Sequence, residues 1–263
     1  MDNVSLSLIT ALGMIIVALI PLFYWCRLTN LKFRWFCLGA GLWFVSVALK
    51  LIFTSLYDET IIGFLSANLP ELLSGAAGGL YIGIRSSFFE IGLTLLAVLI
   101  WKQLGRNSER AIGIGIGAGS FEALLLGLGV LFGAVVYFAG LPGAEEVRVA
   151  LDSPAEMTTL FFLIGPAERI LAIPVHVASR ALIILGVAKK KALMVFLGFL
   201  IFTLLDGVAG AAHVFGLVGE ISMWWIQLAV LPFALLSIPL IIWCYKKWRE
   251  NGACGHETRI CDE

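Results

Sequence analysis

Charged and imidazole side chains interrupt an apolar stretch that is long enough to cross a bilayer, residues 167–188. The stretch contains Glu168, Arg169, His176 and Arg180. Residues seven apart lie on one helix face, so Arg169 and His176 share a face, with Arg180 close to it. A charge at membrane depth costs several kcal/mol and by default marks a functional site.

The other long apolar stretches also contain ionisable side chains: Lys50, Arg85, Glu90, Glu122, Asp206 and His213. We counted a helical rise of about 1.5 Å per residue from the basic turns that follow the stretches. One group then lies roughly 16–23 Å into the membrane, and it comprises Glu90, Glu122, His176 and Asp206. The same count places Lys50 and Arg85 at a depth of about 25 Å. A second layer at roughly 31–33 Å contains Glu168, Arg169 and His213. We therefore predict a polar site in the middle of the membrane.

Three chemistries fit this combination of side chains. A carboxylate and an imidazole can activate water for hydrolysis. His, Glu and Asp can hold a divalent metal such as zinc. The same groups can relay protons or bind a cation in a transporter. The structural alternative is a set of ion pairs, with Glu90 or Glu122 against Arg85 or Lys50 and with Asp206 against His176. A bis-histidine haem is disfavoured, because His176 and His213 differ in depth by roughly 10 Å.

The composition is that of a polytopic membrane protein and excludes a soluble domain. Of the 263 residues, 60% are hydrophobic and 14% are charged, and the mean hydropathy is +0.98. The five cysteines show no spacing typical of a disulfide framework.

Seven stretches are long enough to span a bilayer, and they predict an all-α bundle. They are residues 4–26, 35–55, 77–101, 111–139, 167–188, 192–216 and 221–245. Lys and Arg are concentrated after the first, third, fifth and seventh stretches, whereas the opposite loops are acidic. The positive-inside rule then predicts an N-terminus outside the cell and a C-terminus in the cytoplasm. We expect one transmembrane domain over residues 1–249 and a short disordered cytoplasmic tail over 250–263.

Three segments have special composition. Residues 61–73 and 157–164 are apolar enough to lie in the membrane interface or dip into the protein, or else they form ordinary surface loops. The run AIGIGIGAGS at the start of the fourth stretch predicts close helix packing through small residues.

Four short motifs carry a family resemblance. ERILAIPVH contains Glu168-Arg169 and His176, GAGSFEA contains Glu122, FFEIGLT contains Glu90, and LIFTLLD ends on Asp206. In order, spacing and placement over spans two to six, these motifs resemble the YhfC-like family of intramembrane proteases. That family is grouped with the CAAX-processing, bacteriocin-processing and PrsW-like proteases.

The chain departs from the family pattern at four positions. Ile91 stands in place of a second glutamate, Thr94 in place of an arginine, and Ala118 and Phe202 in place of histidines. In related proteases the paired acids and histidines activate water and stabilise the oxyanion. The resemblance therefore implies an intramembrane peptidase in which several partner groups are missing.

We predict an integral protein of the cell membrane with catalytic residues Glu90, Glu122, His176 and Asp206. Glu90 or Glu122 would be the base, with His176 helping to activate water and Asp206 orienting His176 or the substrate. The predicted supporting residues are Glu168, Arg169, Arg85, Lys50 and His213. No cofactor is expected; zinc is the alternative. The expected partners are the lipid bilayer and a membrane protein or peptide substrate, with no nucleic acid. The alternatives are an inactive relative that binds a membrane partner and a small ion- or proton-coupled transporter.

Overall fold

The computed structural model describes residues 3–152, 159–218 and 220–252, and these residues form helices joined by short turns. The helices are α1 Asn3–Thr29, α2 Arg34–Asn68, α3 Glu71–Ile100, α4 Ser108–Phe138, α5 Ala144–Asp152, α6 Ile164–Ala188, α7 Ala192–Val214 and α8 Met223–Gly252. Among the described residues, seven helices (all but α5) are long and apolar enough to cross a membrane. This agrees with the predicted bundle. The orientation of the two chain ends stays a prediction from loop charge. The division into a transmembrane domain and a tail also stays a prediction, because residues 253–263 lie outside the described part.

Helix α2 is longer than predicted, and the alternative of an ordinary surface loop over residues 61–73 was wrong. That this segment lies in the membrane interface or dips into the protein stays a prediction. The helix continues to Asn68 and α3 begins at Glu71, so only Leu69 and Pro70 separate them. Proline disfavours a helical residue before it, and Leu69 is accordingly extended, with φ −119° and ψ 148°. No earlier residue breaks the helix, so Asp58 lies on α2 and not in a loop.

Helix α6 lies at the centre of the bundle. In its most apolar window 78% of residues are buried, against 44% or less in every other spanning helix that the structure describes. It packs against α1, α3, α4, α7 and α8. The stretch with the densest polar residues is therefore the helix that five of the other spanning helices surround.

Small residues let α4 approach two neighbours closely, as predicted from the glycine-rich run. A Cβ on Gly117 would lie 2.2 Å from the carbonyl oxygen of Phe36 on α2. A Cβ on Gly115 would lie 2.6 Å from the Cα of Val177 on α6. Substituting either glycine would push helices apart, and Glu122 follows one turn later on the same helix.

The segment before α6 is anchored at one residue, whereas Leu160 and Leu163 on either side of it are exposed. Residues 157 and 158 lie outside the described part, and Thr159–Leu163 is a 3₁₀ helix. Phe162 is buried, and its carbonyl accepts a hydrogen bond of 2.6 Å from the Thr10 hydroxyl of α1. This contact holds the entry to α6 against α1.

Candidate active site

Glu122 of α4 meets two side chains of α6. Arg169 Nη1 donates to Glu122 Oε1 at 2.6 Å, and His176 Nε2 lies 2.9 Å from Glu122 Oε2. The second contact has the distance of a hydrogen bond but not its alignment, because Oε2 has no hydrogen-bond partner among the described residues. Arg169 also donates to Glu168. The shared face of Arg169 and His176 thus holds one carboxylate.

Arg180 fixes the protonation pattern of His176. Its Nη1 lies 2.9 Å from His176 Nδ1, and both residues are buried. A guanidinium has donors and no acceptor, so Nδ1 must be the accepting, unprotonated nitrogen. A neutral imidazole then carries its proton on Nε2, the nitrogen that faces Glu122. His176 is therefore a donor through Nε2–H, which lies 2.9 Å from Glu122 Oε2 but is not aligned with it.

Glu90 of α3 is the centre of a second ionic cluster, and its side chain is less exposed than that of Glu122. Its Oε1 accepts a hydrogen bond of 2.6 Å from Lys50 Nζ of α2. Its Oε2 lies 3.6 Å from Arg180 Nη2, an ionic contact and not a hydrogen bond. Only 3% of Glu90 is exposed. Arg180 contacts both clusters and so connects Glu90 with His176.

Asp206 of α7 lies near Ser86 of α3 and Lys50 of α2. Lys50 Nζ lies 3.5 Å from the Ser86 hydroxyl oxygen. The predicted pairing of Asp206 with His176 is replaced by this contact with α3. The network therefore contains four acidic side chains, Glu90, Glu122, Glu168 and Asp206, and three basic ones, Lys50, Arg169 and Arg180.

Arg85 forms its ion pair with an acid outside this network. It pairs with Asp58 of α2, and Tyr81 donates a hydrogen bond of 2.8 Å to the same carboxylate. The prediction that Arg85 pairs with Glu90 or Glu122 was wrong, because the extended α2 supplies a nearer acid.

A cavity of about 140 Å³ lies among α4, α6, α7 and α8. Its ionisable and amide lining residues are Glu122, Glu168, Arg169, His176, Asp206, His213 and Gln227. Glu168 and His213 reach the surface, since the Glu168 side chain is 46% exposed and His213 is exposed. Arg169, predicted to lie in a separate layer above Glu122, reaches it through its guanidinium, because depth counted along the backbone neglects the length of the arginine side chain. Glu90 and Lys50 do not line this cavity.

Two residues of the site were missed by the sequence reasoning. Arg180 was placed on the correct face, but no role was predicted for it. Gln227 of α8 lines the cavity, is 6% exposed, and has an Oε1 atom without a hydrogen-bond partner in the described chain. A glutamine inside the last apolar stretch was the available signal, because buried amides need partners.

These features define a multi-pass integral membrane protein. Carboxylate, imidazole and guanidinium side chains form a site between the helices of its bundle. The model of the YhfC intramembrane metalloprotease family matches residues 13–230, so the chain belongs to that family, as the motifs predicted. Comparisons with curated proteins and with solved structures gave no match.

The family description implies a metal, but the donor set of this chain does not fit one. No group of three or more His, Cys, Asp or Glu ligands occurs among the described residues. His176 has no free lone pair, because Nδ1 accepts from Arg180 and Nε2 carries the proton. The oxygens of Glu122 face Arg169 and His176. Ala118 and Phe202, where the resemblance expected histidines, are buried, and the Phe202 ring packs edge-on against His176 with centroids 5.1 Å apart. That no metal is strongly held stays a prediction.

Proposed function

We propose that this protein is a slow intramembrane peptidase that uses Glu122 as its base without a metal. The observation that carries the proposal is the position of Glu122, on the wall of a polar cavity and 2.9 Å from an imidazole that is set as a donor. Glu90 has the same side-chain chemistry but lies outside this cavity, so it is not proposed as the base.

The proposed reaction needs three groups and balances its protons. Glu122 takes a proton from a water molecule, and the resulting hydroxide attacks the peptide carbonyl carbon. The oxyanion accepts a hydrogen bond from the Nε2–H of His176, which is not aligned with Glu122. The amide of Gln227 is a second donor on the same cavity wall. Glu122 then passes its proton to the leaving amine as the C–N bond breaks.

The reaction is expected to be slow for a geometric reason. Both oxygens of Glu122 already have a close partner, Arg169 on one and His176 on the other. A catalytic water must therefore join or displace an existing contact before it can lose its proton. Asp206 is proposed to hold the α3 side of the site through Ser86, and not to orient His176.

A second candidate is a protein that binds a membrane peptide without cutting it. The observation that favours it is the ring of Phe202 against His176, at a position where the resemblance implies a histidine. In this candidate the ion pairs are static and the cavity only holds the segment.

The test is cleavage of reconstituted membrane peptides of the kind that related intramembrane proteases cut. Wild type is compared with Glu122→Gln, His176→Ala and the matched control Glu168→Gln, which changes a carboxylate on the same cavity wall. Weak cleavage that falls to background in the first two variants, persists in Glu168→Gln and resists metal chelators would support the peptidase. Equal background in all four proteins would support the binding candidate. Cleavage that a chelator abolishes would refute the metal-free mechanism.

A further inference from the structure

The polar cavity is open at one end and closed at the other. Its open end is lined by Glu168 and His213; the Glu168 side chain is 46% exposed and His213 is exposed. Leu205 and Val230 are the lining residues of α7 and α8 that lie farthest from that end, and each is 6% exposed. His176 occupies the corresponding position on α6 and is also buried. A side chain that enters the cavity must therefore pass along its length to reach His176.

Two alanines leave the space between the open end and the closed end. Ala172 of α6 and Ala209 of α7 both line the cavity. Ala172 lies 16 residues before Ala188, where α6 ends. Ala209 lies 17 residues after Ala192, where α7 begins, and a turn of three residues joins the two helices. Since helices joined by so short a turn run antiparallel, the two alanines lie at nearly the same height on two walls.

The other walls limit the size of what can bind. Ile226 of α8 and Leu205 of α7 line the cavity and are 9% and 6% exposed, so packing holds them in place. The cavity measures about 140 Å³, whereas sites for drug-sized ligands measure roughly 300–1,000 Å³. A water molecule, which the proposed reaction also needs here, takes about 30 Å³. The space that remains suits one small side chain.

We propose that this cavity selects membrane peptides that carry glycine, alanine or serine at the position bound beside Glu122 and His176. Ala172, Ala209 and Ile226 are the specificity-determining residues. A leucine or phenylalanine at that position must displace a buried wall side chain, which overpacks the site. The inference rests on the proposed function, since it takes the cavity as the peptide site, an assignment that the peptidase and the binding candidate share.

The experiment measures the binding of a transmembrane peptide of leucines with a central guest triplet of alanine, serine, valine, leucine or phenylalanine. Energy transfer between labelled peptide and labelled protein in nanodiscs gives the affinities. Wild type should bind the alanine and serine guests at least about tenfold more tightly than the leucine and phenylalanine guests, because one excess methylene in a filled pocket costs about 10–200-fold. Equal affinities for all guests, or no binding of any peptide, would overturn the proposal. This series needs no variant to fold.

Two variants should shift the selectivity in opposite directions. Ile226→Ala widens the cavity and should reduce the preference for the alanine guest over the leucine guest to below about threefold. Ala209→Leu fills the cavity and should weaken binding of the alanine guest about tenfold. The matched controls are Ile238→Ala and Ala192→Leu, at exposed positions of the same two helices outside the cavity lining. Equal shifts in the variants and their controls would contradict a size limit set by the cavity.

Cleavage of the same peptides separates this inference from the proposed peptidase. Size-dependent binding without cleavage would support the selectivity and refute the peptidase. Cleavage at the same rate for every guest would support the peptidase and overturn the selectivity.

Discussion

Glu122 and Glu90 are two membrane-embedded glutamates with similar partners and different surroundings. Each carboxylate contacts two basic groups, which are Arg169 and His176 for Glu122 and Lys50 and Arg180 for Glu90. Glu122 lines a cavity and its side chain is 20% exposed, whereas the Glu90 side chain is 4% exposed and lines none of the polar cavity. The difference indicates that access to water, and not the identity of the ion pair, separates a candidate reactive acid from a structural one.

The largest expected effect is on stability, and it should distinguish the two acids. Glu90→Gln leaves the buried Arg180 and the half-buried Lys50 without this carboxylate, which should cost about 3–5 kcal/mol. Glu122→Gln should cost about 1.5–3 kcal/mol, because Arg169 keeps Glu168 and the cavity admits water. Steric trapping in bicelles measures both free energies of unfolding. Equal costs, or a larger cost for Glu122→Gln, would break the comparison.

Arg180→Lys tests the connection between the two clusters. Lysine keeps a charge near Glu90 but lacks the planar group that reaches His176 Nδ1, so the loss should be about 1.5–3 kcal/mol. Nitrogen NMR of histidine-labelled protein should show His176 neutral and protonated on Nε2 in wild type, and a changed pattern in the variant. Arg169→Lys, which does not touch Nδ1, is the control. A wild-type Nδ1 that carries the proton would contradict the assigned donor role.

Cysteine accessibility tests whether water reaches only one cluster. In a background with the native cysteines replaced by serine, Ala209→Cys on the cavity wall should react with a water-soluble thiol reagent. Thr94→Cys, beside Glu90 and 1% exposed, should react at least about tenfold more slowly, a difference of about 1.4 kcal/mol in barrier. Similar rates at both positions would mean that the Glu90 cluster is also hydrated.

The smallest expected effect concerns a hydrogen bond between two uncharged side chains of α3 and α7. Ser87 of α3 and Thr203 of α7 share a hydrogen bond of 2.7 Å between buried hydroxyls. Thr203→Val should cost about 0.6 kcal/mol, typical of hydrogen bonds between membrane helices. Thr94→Val, which loses only a bond to the carbonyl of Glu90 in its own helix, is the control and should cost less. If Thr203→Val lowered the free energy of unfolding more than Glu90→Gln or Glu122→Gln, charged contacts would not be the main stabilising contacts between these helices.

Much of the molecule follows from the sequence alone. Apolar stretches of about 20 residues predict spanning helices because an unpaired backbone cannot be exposed to lipid. The density of polar residues in 167–188 identified the helix that became central, and the spacing of Arg169 and His176 gave their common face. The short motifs identified the family. Each of these properties is local, since it depends on periodicity or composition within one segment.

The pairing of the polar side chains was decided only by the tertiary structure. The sequence allowed Glu90 or Glu122 to pair with Lys50 or Arg85, and packing selected Lys50 for Glu90 and Asp58 for Arg85. Periodicity defines the face of a helix but not which neighbour that face meets, and rise along one helix ignores tilt and side-chain reach. For the same reason Arg169 reached Glu122 from a predicted separate layer. Whether a carboxylate meets water or a buried cation depends on several helices at once, and no single segment contains that information.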